Sequence, residues 1–254
     1  MTDPSQALEL LLPRPREASL GGTAWRIGGE VVLAASDLGV VVERAILDLA
    51  SQLQLVRVAL RRVDDNSAGG ADGPSSSGHR IALVLDPAAS DHPQGYRLSI
   101  DGGGVRIAAP RPIGVAYGIA TLRQWLRLHP APADSGARSV PALAVRDRPD
   151  FEHRGVLQDI SRNKVPSLDT LCALIDRFAG WKINQLQLYM EHTFAYRGHE
   201  VVWRGADPLT AEEVRRLASH CAARGIELVP NQNSFGHFHR WLIHPPYRSL
   251  AVCP

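Results

Sequence analysis

The sequence predicts an α/β protein in two parts, and three observations predict it. Up to about Pro149, short alternating apolar runs are followed by a covering helical pattern, the arrangement of a small α+β domain. From His153 to Pro230 the order becomes strand, helix, strand, helix, strand, which builds a parallel sheet with right-handed crossovers. All three of those strands turn polar at their carboxyl ends, where parallel α/β sheets and barrels bind ligands.

The elements of the first part, residues 1–149, follow from local pattern. "TAWRI" and "EVVLAA" are short strands around a Gly-Gly turn, "LGVVVERAILDLASQL" has apolar residues at helical spacing, and "QLVRVAL" alternates as a half-buried strand. Residues 64–78, "DDNSAGGADGPSSSG", cannot bury a face and are expected to be a flexible surface loop. "RIALVLD", "GYRLSID" and "GVRIAAP" are strands, the last two joined as a hairpin by Asp101 to Gly104. That glycine run lacks GxGxxG spacing and is no phosphate cradle. "RPIGVAYGIATLRQWLRL" is an amphipathic helix offering Ile113, Ala116, Tyr117, Ala120, Leu122 and Trp125 for packing. "ALAVRDRPDF" closes the section.

The second part, residues 150–254, is built on "HRGVLQDIS", "INQLQLYM" and "IELVP" as short apolar strands. Between them lie "SLDTLCALIDRFAGWK", capped by Ser167, and "TAEEVRRLASHCAARG", with a capping box at Thr210 and Glu213 and Gly225 at its end.

Composition narrows the function classes. The chain of 254 residues is 44% hydrophobic and 21% charged, with 28 basic and 26 acidic residues and a formal charge of +2. The basic residues form no cluster, so no nucleic-acid partner is expected. Cys172, Cys221 and Cys253 have no CxxC spacing and are read as inert core thiols. The opening residues lack a basic n-region and no run is long enough to span a membrane, so a soluble, cytoplasmic protein is expected.

The polar strand ends carry the candidate chemistry. Arg154 leads the first strand, with Asp159 and Arg162 near its end; a guanidinium fork there suits sugar hydroxyls or a carboxylate, or an internal Arg-Asp pair. Tyr189, Glu191 and His192 end the second, where Glu191 and His192 point to opposite faces if the strand continues. The third delivers Asn231, Asn233, His237 and His239. No HExxH occurs and no carboxylate lies between Asn231 and His244, so no metal and no cofactor is expected. Trp181, Trp203, Phe235, Phe238 and Trp241 offer faces for a sugar ring or for plain packing. No GxSxG supports acyl-enzyme hydrolysis.

Taken together, these stretches resemble family-20 glycoside hydrolases, the β-N-acetylhexosaminidases. "FEHRGVLQDISRNKVP" is similar to that family's first barrel strand, and "LIDRFAGWKINQLQLYMEHTF" to its first helix and second strand. "LTAEEVRRLASHCAARGIELVPNQNSFGH" is similar to the next helix and third strand, and "GYRLSIDGGGVRIAAPRPIGVAYGIATLRQWL" to the small domain before the barrel. The resemblance covers roughly residues 90–254. It implies the first part of a (β/α)8 TIM barrel, incomplete at about three strands, and release of terminal β-linked N-acetylhexosamine from an amino-sugar-containing oligosaccharide or glycoconjugate. The substrate's own acetamido oxygen attacks in this family, outside the two-carboxylate scheme. By position, Arg154 is expected to bind sugar hydroxyls, Asp159 to support that subsite, and His237 to sit behind the catalytic acid.

This sequence departs from the family pattern in three places. Asn231 and Asn233 stand where Pro-Glu-x-Asp is usual. Tyr189, Glu191 and Thr193 match a divergent branch with Tyr-x-Glu-Asp-Thr, His192 replacing the Asp. The family's adjacent Asp-Glu pair lies on the fourth strand and is expected only after Pro254. The resemblance therefore implies an amino-terminal fragment of a longer enzyme, inactive alone and prone to aggregation or a molten carboxyl-terminal part. A non-catalytic carbohydrate-binding protein on a degenerate barrel is the alternative, and the gluco or galacto preference stays open.

Overall fold

The computed structural model describes residues 3–27, 31–35, 38–53, 58–61, 79–131, 138–162 and 164–252. The loop read at 64–78, the Gly-Gly turn and Cys253 lie outside them. The chain is a mixed α/β protein that divides into two compact units, Met1–Glu152 with Gly180–Lys182, and His153–Ala179 with Ile183–Pro254.

The first unit begins with helix α1 (Pro4–Glu9), then strands β1 (Glu17–Leu20), β2 (Trp25–Ile27) and β3 (Val31–Ala35). Helix α2 (Gly39–Leu53) follows, then β4 (Val58–Arg61), β5 (His79–Leu85), β6 (Tyr96–Asp101) and β7 (Gly104–Ala109). Helix α3 (Pro112–Leu128), β8 (Arg138–Val140) and β9 (Leu143–Asp147) complete it. Seven strands form one sheet in the order β1-β9-β6-β7-β5-β3-β4, antiparallel from β1 to β7 and parallel from β7 to β4. β2 and β8 make a separate antiparallel pair.

The core of this unit follows from strand alternation. Tyr96, Leu98 and Ile100 of β6 turn inward while Arg97 and Asp101 turn out. α3 packs on β6 and β7 and against α2, so it is covered on more than one side. Val115, Ile119 and Leu126 are therefore buried beside the expected Tyr117, Ala120, Leu122 and Trp125, whereas Ile113 and Ala116 are only partly covered. The periodicity marked one packing face, but a second packing partner widened it. Gly118 permits the close approach, since a Cβ there would lie 2.5 Å from Ile107 Cγ2. The hairpin turn is as expected: Asp101 pairs with Gly104, whose φ of 131° and nearness to Arg80 O exclude a side chain.

The second unit holds three parallel strands in order, β10 (Gly155–Asp159), β11 (Gln185–Met190) and β12 (Glu227–Gln232). Helices α4 (Leu168–Gly180) and α6 (Ala211–Ala222) lie between them in sequence, with short α5 (Glu200–Trp203) and α7 (His239–Leu242). Leu186, Leu188 and Met190 bury against Leu171, Ile175, Leu217 and Cys221. Burial pushes the Cys221 thiol up to about 12, in keeping with an inert core thiol.

The strands, read from sequence as short and apolar, bury one face against the helices. The other face carries Gln185, Gln187 and Asn231 beside Leu157 and Val229. Along it, Gln185 donates to Glu227 at 3.1 Å, Gln187 to Gln185 at 3.3 Å and Asn231 to Gln187 at 3.3 Å.

The capping box closes α6 as read. The Glu213 N–H donates to Thr210 Oγ1 at 3.2 Å, and the Glu213 carboxylate accepts from Thr210 N–H at 2.8 Å. These bonds, the Thr210 backbone first, hold the Glu213 carboxyl below its ordinary range. A depressed folded-state pKa adds stability above the unfolded value, and that stability is lost as pH falls through the folded one. Thr210→Ala is expected to lower stability of this unit by about 1 kcal/mol, read as a lower urea midpoint. An unchanged midpoint would contradict the cap's contribution.

Candidate active site

Parallel register sets Asp159 beside Tyr189 and Tyr189 beside Asn231, at the carboxyl ends of β10, β11 and β12. Two residues beyond Tyr189, Glu191 collects the neighbouring loops. Its N–H donates to Ser161 Oγ at 2.8 Å, and its carbonyl accepts from Trp241 Nε1 at 2.6 Å and Gln232 Nε2 at 3.0 Å. Its Oε1 accepts from Arg162 Nη1 at 2.5 Å and Tyr189 OH at 3.1 Å, and lies 3.8 Å from His237 Nδ1.

The geometry makes Arg162 the presenting group of the cluster. The Glu191 side chain is 10% exposed and the Arg162 side chain 55%. A nearly buried carboxylate thus anchors a guanidinium that still reaches solvent, with the Tyr189 ring 5.6 Å from its central carbon. Hydrogen bonds to Glu191 and then Tyr189 push the guanidinium pKa up further, so its donors are permanent. Asp159 is turned to the local chain: Oδ1 accepts the Ser161 N–H at 2.7 Å, and Oδ2 is 3.8 Å from Arg162 Nε.

The backbone of Arg154, the residue expected to bind sugar hydroxyls, lies at the other end of the same strand. It precedes Gly155 at the amino end of β10, where its N–H donates to Asn184 Oδ1 at 2.7 Å. Five extended residues, about 16 Å of chain, separate it from Asp159. His192, expected to face away from Glu191, lines a different cleft together with Thr193.

The third strand end is divided. Asn231 belongs to the polar ladder below the cluster, and Asn233 has its N–H on Met190 O at 2.9 Å. Among the described residues the buried Asn233 Nδ2 has no hydrogen-bond partner. His237 stands at φ 52° with its side chain 65% exposed and its ring edge-on to Tyr189. Of the aromatic set, Trp241 is buried with Phe238 stacked on it, so these two pack the loops together. Among the described residues, no three His, Cys, Asp or Glu side chains gather to hold a metal ion.

Family comparison decides what this arrangement belongs to. The model for "Glycosyl hydrolase family 20, domain 2" matches residues 10–148, and that for "Glycosyl hydrolase family 20, catalytic domain" matches residues 151–251. The chain belongs to glycoside hydrolase family 20. A Beta-hexosaminidase of Akkermansia muciniphila is 30% identical over 179 residues, which cover 63% of this chain and 34% of that protein. A Beta-hexosaminidase of Vibrio furnissii is 26% identical over 253 residues, 89% of this chain and 38% of that protein. The solved Streptomyces plicatus N-acetyl-beta-hexosaminidase in complex with Thio-NAglucal matches at a TM-score of 0.71 and 26% identity, over 92% of this chain and 48% of that one. The chain thus spans little more than a third of those two curated relatives.

Within this family-20 chain, sequence reading missed Ser161, Gln232 and Trp241 as the groups that fix Glu191. Ser161 was visible inside the Asp-x-Ser-Arg run. Gln232 carried no signal and Trp241 was marked only as an aromatic face, because their bonds go to the backbone carbonyl of Glu191, which spacing does not mark.

Proposed function

We propose that this chain is the front part of a (β/α)8-barrel glycoside hydrolase that removes terminal β-linked N-acetylhexosamine. The observation that carries the reading is the Arg162–Glu191–Tyr189 cluster at the carboxyl ends of three parallel strands of a family-20 chain. Glu191 and Tyr189 hold the Arg162 fork in one orientation, so its outward N–H groups bind adjacent sugar hydroxyls in paired fashion. Asp159 braces the turn that carries Arg162, and His237 closes the cluster on the third strand's side. Catalysis in the substrate-assisted mode needs a general acid and a carboxylate to orient the acetamido group. No adjacent Asp-Glu pair occurs in these 254 residues. In this reading they come from barrel strands that these residues do not supply.

The assay is release of nitrophenol from nitrophenyl N-acetyl-β-glucosaminide. The 254-residue chain is expected to give no turnover, and a protein carrying it with a complete barrel is expected to be active. Turnover by the 254 residues alone would refute the division of labour. Asn231 and Asn233, amides at positions where the family resemblance implies acids, favour a second reading as a non-catalytic sugar-binding protein. N-acetylglucosamine binding without hydrolysis by the complete-barrel protein would establish that one instead.

A further inference from the structure

A cleft of about 440 Å³ opens on the second unit and shares no residue with the Arg162–Glu191 cluster. Lys164, Arg204 and Arg240 bring three cations to its wall, against the single carboxylate of Asp207. Neither Lys164 nor Arg204 is in an ion pair among the described residues. No local pattern marks this grouping, because the cations come from three separate stretches of the chain.

The uncharged groups in the wall point to the same chemistry. His192 and Thr193 are 6% and 2% exposed, and both line the cleft. Among the described residues His192 Nδ1 and Thr193 Oγ1 have no hydrogen-bond partner, which is costly for buried polar atoms. Burial and then Arg240 hold the His192 imidazole below its usual pKa, with Arg162 acting the same way and Glu191 opposing. The ring is therefore neutral at pH 7 and keeps one N–H donor alongside the Thr193 hydroxyl. Cations on the rim and neutral donors at the back suit an anion with several acceptor oxygens. A cation would meet net repulsion, and an apolar ligand would leave the donors unsatisfied.

We propose that this cleft is an oxyanion-binding site, taking a sulfate, phosphate or carboxylate group on Lys164, Arg204 and Arg240, with His192 and Thr193 as the inner donors. Its volume is in the range of small-molecule pockets, so it accommodates the anion alone or on a sugar ring. The site stands independently of the hydrolase reading, since none of its groups belongs to that cluster.

The test is calorimetric titration of the purified chain at constant ionic strength with sodium sulfate, N-acetylglucosamine 6-sulfate and unsulfated N-acetylglucosamine. Saturable sulfate binding with a Kd below about 10 mM is expected. Loss of one charge-assisted contact in Arg204→Gln or Lys164→Gln is expected to weaken it about tenfold or more. Arg215→Gln, on the outer face of α6 and paired with Glu212, should leave it unchanged. Equal affinity for sulfate and the sulfated sugar assigns the site to a free anion. A sulfated sugar that binds about tenfold tighter than both sulfate and the unsulfated sugar assigns it to a glycan-borne anion. Absence of saturable binding by either anion, or binding untouched by both cleft substitutions, overturns the proposal.

Discussion

Lys182→Met is expected to destabilise the first unit by about 3–5 kcal/mol, because it strands a buried carboxylate. Lys182 Nζ lies 2.9 Å from Asp147 Oδ2 and 2.8 Å from Tyr96 OH, with the two charged side chains 6% and 9% exposed. The Tyr96 hydroxyl donates to Asp147 Oδ2 at 2.9 Å and is 2.7 Å from Thr121 Oγ1. Burial, then the charge of Asp147, push the Tyr96 pKa well up, so the phenol stays protonated and remains a donor. Methionine keeps the length of the stem but removes the charge, which leaves Asp147 short of its counter-ion. Urea unfolding followed on the first unit's transition measures the loss. Adding Asp147→Asn to Lys182→Met should recover part of it, since the stranded charge is then gone. A loss below about 1 kcal/mol, or a double variant no better than the single, would show that the pair is not what holds this corner.

Arg162→Ala should lower kcat/KM on a nitrophenyl N-acetylhexosaminide by roughly 10- to 100-fold in an active protein that carries this chain, the range for a lost hydrogen bond to a charged group. It removes the exposed guanidinium of the cluster and leaves Glu191 almost buried beside Tyr189. Arg154→Ala in the same protein tests the role expected of the arginine at the opposite end of β10, and a loss of about tenfold or more is the result that role requires. The pair of variants separates position along the strand from mere possession of an arginine. A loss confined to Arg154→Ala would take the binding role from Arg162, and a loss confined to Arg162→Ala would take it from the arginine before the glycine.

The two arginines show where legibility stopped. The strand "GVLQD" was readable, and so was the polar turn after it, because apolar spacing marks the buried face directly. Which of two nearby arginines reaches the mouth depends on the direction of the strand within the sheet and on what each guanidinium finds there. Arg162 finds Glu191, 29 residues later in sequence, and no local pattern links them. The second-strand motif gave Tyr189 and Glu191 as candidates, but it did not indicate that Glu191 would be held through its own backbone by Ser161, Gln232 and Trp241.

The helix α3 failed in a milder way. Its spacing identified a packing face, yet the helix is buried more widely because it lies against both the sheet and α2. Likewise α1, β1 and β8 escaped the sequence reading; α1 has six residues and the two strands four and three, too short for periodicity to register.

By itself the sequence determined the mixed α/β class, the strand-helix alternation after His153, the capping box of α6 and the Asp101–Gly104 hairpin. Those features rest on interactions within a few residues, or on periodicities that one element displays alone. Only the tertiary structure decided the buried Lys182–Asp147–Tyr96 corner, the pairing of Arg162 with Glu191 and Tyr189, and the cationic cleft around His192. Each joins side chains from distant segments, and the energy that selects the partner comes from desolvation and charge pairing after the chain has closed.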